Sequence, residues 1–318
     1  MIGPSDELLL VCEELGPALE RLQAEGARLD VIYPADEPHT AILEHKGRKV
    51  RLTTSPAAPR PGGLGGFRPE FILTRAGASP GEGRAGMLYR DLIPSRLGGR
   101  YIASHITIPV GGPVSDWVHF HRIQFQLIVV RRGWVRVVYE DQGEPFVMQA
   151  GDLVVQPPTI RHRVLESSPG LEVIEIGCPA LHETVADHEL QLPTGRIDPE
   201  HDFGGQHFLY HVAAETEWAA FHGGEAQLTR VGEVTNGVAE VRLIRPGPAG
   251  TISMPPHNGE LVFGFMLEGT ARLDFDGSRA LEGADAFVLP PDEAWGLGQF
   301  TPEMRLLLVT TARVVESA

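Results

Sequence analysis

Residues 116–133, DWVHFHRIQFQLIVVRRG, decide how the chain folds. His119 and His121 stand two apart at the head of a run that alternates like a β-strand and closes on Gly133, a turn residue. Side chains two apart on a strand share a face, so both imidazoles look into the same side of a sheet. Downstream, His162 opens a separate strand, HRVLES, behind the turn Gln156-Pro157-Pro158. Three imidazoles converging from two hairpins leave part of a first-row metal's coordination sphere open, as catalysis requires and a structural site avoids. The alternative is a barrel whose histidines only hydrogen-bond to their neighbours.

Outward from this stretch the pattern is of short strands between turns. YIASHITIPV, FQLIVV, WVRVVYE, DLVVQPP and LEVIEIG fill the region from about Met87, which predicts an antiparallel sandwich or barrel. A second set, VAEVRLIRPG, LVFGFMLEG, ARLDFDG, DAFVLPP and MRLLLVTTA, begins near Val238. The two sets read as copies. Gly133 matches Gly269, 136 residues on, and Pro157 matches Pro290, 133 residues on, a difference that one shorter turn explains.

The front of the chain differs. Leu8, Val11, Cys12, Leu15, Leu19 and Leu22 recur at three- and four-residue spacing after a capping Ser5, which predicts one amphipathic helix over about Asp6–Ala24. Glycine- and proline-rich loops follow, SPAAPRPGGLGGF and AGASPGEGRAG, and read as arms. The expected organisation is a helix and extended arm over 1–84, a metal-binding barrel over 85–180, a linker over 181–204 and a degenerate barrel over 205–318. The helix's apolar stripe needs a surface to cover, on its own chain or on a second copy, and a homodimer is expected.

Composition narrows the partners. The formal charge of −15 over 318 residues argues against nucleic acid and anionic membranes, both of which need a concentrated basic surface. Two cysteines, Cys12 and Cys178, are too few for a disulfide framework. No basic leader and no apolar run of about 18 residues occurs, so a cytoplasmic protein with a small-molecule partner is expected.

The first strand set resembles a cupin, a double-stranded β-helix barrel. His119, His121, Gln126 and Gly133 fit the spacing of that family's first motif, with Gly112 one residue out of place. Gly151, Pro157 and His162 fit the second, and Thr159 and Glu166 depart from its glycine and asparagine. The resemblance is strong over about 87–180 and weak over about 205–315, so the whole resembles a bicupin, an all-β fold. It implies that His119, His121 and His162 hold a divalent metal, Fe(II) first, with Mn, Ni or Zn as alternatives.

Gln126 stands where the family usually has glutamate. With only neutral protein ligands, the metal's charge needs an anionic, chelating substrate to balance it. The amide either coordinates through its carbonyl oxygen or orients a histidine or water, the second role being preferred. Three-histidine cupin dioxygenases follow this charge logic, so the resemblance implies an iron-dependent dioxygenase acting on a phenolic acid or dicarbonyl compound. A metal-dependent isomerase or lyase, and a non-enzymatic ligand-binding bicupin, remain open.

Tyr101, His105 and Thr107 share one phase of the strand leading into the motif, and Ile102, Ile106 and Ile108 the other; either lines the pocket. Tyr101 and His105 join Gln126 as candidate catalytic residues. His182, His188, His201, His207 and His211 crowd the segment between the barrels at spacings that fit no metal site. Of Arg131, Arg132, Arg161 and Arg163, which flank the first barrel, most are expected to be solvated. In the second copy the ligand positions fall on Pro255, His257, Val262 and Trp295, which cannot hold a metal.

Overall fold

The computed structural model describes residues 7–82 and 86–313. Two barrels of antiparallel strands follow one another. In the first, strands Ile102–Ile108, Phe125–Arg132, Leu153–Val155 and Leu171–Cys178 form one sheet, and His119–His121, Trp134–Tyr139, Phe146–Gln149 and His162–Ser167 belong to the facing one. In the second, Ala239–Arg245, Val262–Glu268, Ala286–Leu289 and Arg305–Thr311 face Thr251–Met254, Thr270–Asp274, Ser278–Glu282 and Trp295–Gly298.

The duplication extends to single hydrogen bonds. The strand after the histidine pair is bulged between Val130 and Arg132, and its counterpart between Met266 and Glu268. At the turn that follows, Trp134 N donates to Ser168 Oγ at 3.0 Å, and Thr270 N donates to Thr301 Oγ1 at 3.1 Å. Gly133 and Gly269 both sit in the left-handed region, with φ of 79° and 70°. A Cβ on Gly133 would lie 2.2 Å from Ser168 Oγ, so only glycine fits there.

The barrels pack outer face to outer face. Tyr101, Ala103, Leu127, Val129, Ile174 and Ile176 of the first share one apolar core with Val241, Leu243, Phe263, Phe265, Leu307 and Val309 of the second. A buried ion cluster crosses this seam. Arg90 Nη2 donates to His105 Nδ1 at 3.0 Å and to Ala284 O at 2.7 Å, while His105 Nε2 lies 2.8 Å from Glu172 Oε2. Arg131 is not solvated: it pairs with Glu172 and donates to Leu267 O at 3.2 Å. The hydrogen bond from His105 and the guanidinium of Arg131 hold the Glu172 carboxyl down at about 2.

The N-terminal expectation is corrected. Leu8–Val11 is a strand, paired in parallel with residues 50–53, and the helix runs only over Leu15–Ala24; Ser5 and Asp6 lie outside the described residues. Pro17 falls in that helix's first turn, where its missing N–H costs nothing, whereas a helix begun at Asp6 would have carried it in its interior. Leu15 and Ala18 are buried, with Leu19 and Leu22 beside them, against Ala41, Leu43, Val50 and Leu52 of the same chain. The helix's own apolar residues therefore pack on the same chain, while Leu8 and Val11 of the expected stripe stay exposed on the strand.

Residues expected to be arm and linker are woven into the barrels. Arg28–Tyr33 pairs with Thr184–Ala186, which pairs with His119–His121, so the N-terminal strands extend the first barrel's sheet. Ile72–Thr74 pairs instead with Ala286–Leu289 of the second barrel. Among the described residues, no helix is long and apolar enough to cross a membrane.

Candidate metal centre

His119, His121 and His162 come together inside the first barrel, 1%, 6% and 5% exposed, with one potential ligand nitrogen from each lying within 4.8 Å of the others. The pairing of His119 with His162 across adjacent strands brings the second hairpin's imidazole beside the first pair. Each ring is anchored through Nδ1: His119 to Trp117 O at 2.8 Å, His162 to Ile160 O at 3.0 Å, and His121 to Thr184 Oγ1 at 3.1 Å. A carbonyl oxygen can only accept, so His119 and His162 carry their proton on Nδ1 and keep the Nε2 lone pair for a metal. Threonine can accept likewise from His121. Tyr139 stacks on His162 with ring centroids 5.5 Å apart, and Gln156 Nε2 donates to its hydroxyl at 2.8 Å.

Thr159, where the cupin motif has glycine, adopts the left-handed conformation that glycine favours: its φ is 65°, and its N–H donates to His121 O at 3.1 Å. A β-branched residue bears strain in that region.

The histidines open onto a cavity of about 100 Å³. Its walls are mostly apolar, with Ile106, Ile128, Val135, Val137 and Val173 among them, and among the described residues no lysine or arginine lines it. Gln126 and Glu175 share this cavity. Gln126 Nε2 donates to Glu175 Oε1 at 2.6 Å, while Gln126 Oε1 is buried with no hydrogen-bond partner. An orphaned carbonyl oxygen beside three lone-pair nitrogens fits a divalent cation. Glu175 is the residue the sequence reading missed, and it changes the charge balance: the cavity contains a carboxylate after all, contributed from the strand Leu171–Cys178 next to Gln126's own. The available signal was a lone charge in the phase of Leu171 and Val173, but Glu172 gives the opposite phase a charge too.

Tyr101 and His105 are not in this cavity. Their phase faces the seam, and Ile106 and Ile108 line the cavity instead. Tyr101 donates toward Glu260 Oε2 at 3.1 Å and meets Thr311 Oγ1 at 2.7 Å; burial raises its hydroxyl pKa. His105 is fixed between Arg90 and Glu172, and burial lowers its pKa.

The linker histidines do not gather: His188 bonds Leu29 O, His201 bonds Asp141, and His182 lies 5.5 Å from the His121 ring with its Nδ1 on Pro179 O. Among the described residues, His119, His121 and His162 are the one group of this kind. In the second barrel Pro255, His257, Val262 and Trp295 do converge, but His257 Nε2 donates to Thr311 O at 2.9 Å.

No family model matches the chain, and no curated protein matches its sequence. Solved structures do match its fold. Oxalate decarboxylase of Lactobacillus farciminis, in a formate complex, is 12% identical over 81% of this chain and 89% of that one, with a TM-score of 0.56. Ylba of E. coli is 12% identical over 82% of this chain and 97% of its own, at 0.55. A Pseudomonas aeruginosa protein named for induction by glyoxylate is 14% identical over 83% and 97%, at 0.58. The fold is that of a cupin with two barrels, and the three-histidine group suits a divalent metal.

Proposed function

We propose that this two-barrel cupin is a metal-dependent enzyme, an iron-dependent dioxygenase acting on a small chelating anion with an apolar body, such as a phenolic acid or a dicarbonyl compound. The observation that carries this reading is the set of three buried imidazoles, each anchored through Nδ1, facing an apolar cavity. His119, His121 and His162 would hold the ion, which when bound supplies Lewis acidity toward a chelating oxygen pair and a redox centre for dioxygen. The aliphatic walls take the body of the substrate and exclude bulk water, and Tyr139 and Gln156 keep His162 oriented.

Glu175 offsets one of the two charges of a divalent ion, so a monoanion balances the site better than a dianion does. This separates the chain from the oxalate decarboxylases that share its fold. A dianion in a cavity that no described lysine or arginine lines would leave charge uncompensated.

Metal analysis of the purified protein, with oxygen-uptake screening of phenolic and dicarbonyl acids, tests the proposal. The expected result is about one iron per chain and substrate-dependent uptake. Zinc or nickel, with turnover but no uptake, would replace it with an isomerase or lyase.

A further inference from the structure

We infer that Glu175 is a positioning residue that fixes the Gln126 amide so that its carbonyl oxygen serves as a fourth, neutral ligand of the three-histidine site. This rests on the metal-site reading above and extends it to a residue outside the cupin motifs.

The argument is one of donors and acceptors. A carboxylate only accepts, and an amide presents one accepting and one donating end. With 2.6 Å between Gln126 and Glu175, the amide's nitrogen must face Glu175; its oxygen there would set two acceptors in contact. Oε1 is therefore turned away from Glu175 and buried without a partner, on a side chain that borders the cavity the histidines line. Gln126 is 1% exposed, so no bulk water relieves that oxygen. An unpaired buried carbonyl costs about 1–3 kcal/mol, and a cation at the site removes the cost. The backbone holds the amide as firmly: Gln126 lies in the ladder opposite Gly177, and its carbonyl accepts from Gln156 N at 3.0 Å. A Cβ on Gly177 would come within 2.8 Å of Ile123 Cδ1, so a larger residue there would shift that side chain.

Cobalt(II) is the probe, because its visible spectrum reports ligand number and its titration reports affinity, neither of which needs turnover. Gln126→Leu should weaken cobalt binding about 10- to 100-fold, and Glu175→Leu by a similar factor, in line with losses seen when the partner of a metal ligand is removed. The two losses should not add: in the Gln126→Leu background, Glu175→Leu should change affinity by less than about threefold. Glu175→Gln, which retains an oxygen to accept the Nε2–H, should keep the parent's cobalt spectrum, whereas Glu175→Leu alters it. Equal losses from Glu175→Leu in both backgrounds, or no loss in either, overturn the inference. His119→Ala is the separate control. If it too leaves cobalt bound as in the parent, it is the metal site that fails, and not Glu175's part in it. Circular dichroism of each variant identifies any that do not fold, and for those the Glu175→Gln spectrum decides.

Discussion

At the position of His121 in the first barrel the second has His257, and the same backbone bond holds both: Thr159 N donates to His121 O at 3.1 Å, and Asp292 N to His257 O at 2.8 Å. Both border a cavity, of about 100 Å³ and 160 Å³, yet His121 meets two further imidazoles there, while the ring of His257 is tied to Thr311 O among apolar neighbours. The interiors differ accordingly. The second barrel is filled by Phe287, Trp295, Met266 and Leu297, and a Cβ on Gly264 would fall 2.1 Å from the Phe287 ring. In the first, polar groups gather at one place on apolar walls. Similar frames thus carry different inward side chains, so the frame fixes where a site can be and the side chains decide whether one exists.

The comparison is most sharply tested by metal. His162→Ala should lower metal affinity more than about 100-fold, beyond the loss from a ligand's partner, while His257→Ala should leave it unchanged. Elemental analysis after dialysis checks both, and a second equivalent lost with His257→Ala would show that the barrels are more alike than described.

Truncation inside each barrel comes next. Phe287→Ala should cost about 3–5 kcal/mol because nothing can refill that packed interior; Ile128→Ala, at a wall already facing space, should cost about 2 kcal/mol. Urea midpoints of the two variants give the ranking.

The seam couples the halves. Glu172→Gln leaves Arg131 without its partner and should cost about 3 kcal/mol at pH 7. Because the native carboxyl is held down at about 2, its contribution is fully present above the ordinary glutamate range and disappears as pH falls from there through about 2. His105 acts in the same direction. Burial lowers its pKa, so the unfolded chain binds the proton first and stability declines once pH drops below the ordinary histidine value. Thermal melts of parent and Glu172→Gln between pH 7 and about pH 3 should converge on acidification.

The smallest effect concerns the shared loop. Thr159 and Asp292 both have φ of 65°. Asp tolerates the left-handed region better than a β-branched residue, so Thr159→Gly should stabilise by up to about 1 kcal/mol and Asp292→Gly by less. A larger gain at Asp292 in calorimetry would reverse that ordering.

Spacing alone brought out the barrel pair and the three histidines that cluster, because strand periodicity and turn glycines are local properties that survive in every environment. It also placed the second copy's ligand positions, which converge as aligned. Three matters were decided only by tertiary structure. The apolar run Leu8–Val11 suits a helix or a strand, and the parallel partner at 50–53 chose the strand. The strand Ile102–Ile108 is buried on both faces, so alternation could not say which phase meets the cavity; the second barrel's packing put Tyr101 and His105 in the seam. Gln126 looked like a lost carboxylate, because its partner Glu175 lies 49 residues away in sequence and meets it only across the ladder of adjacent strands. A charge at the site is a property of the cavity, and a cavity is made by residues that sequence order keeps apart.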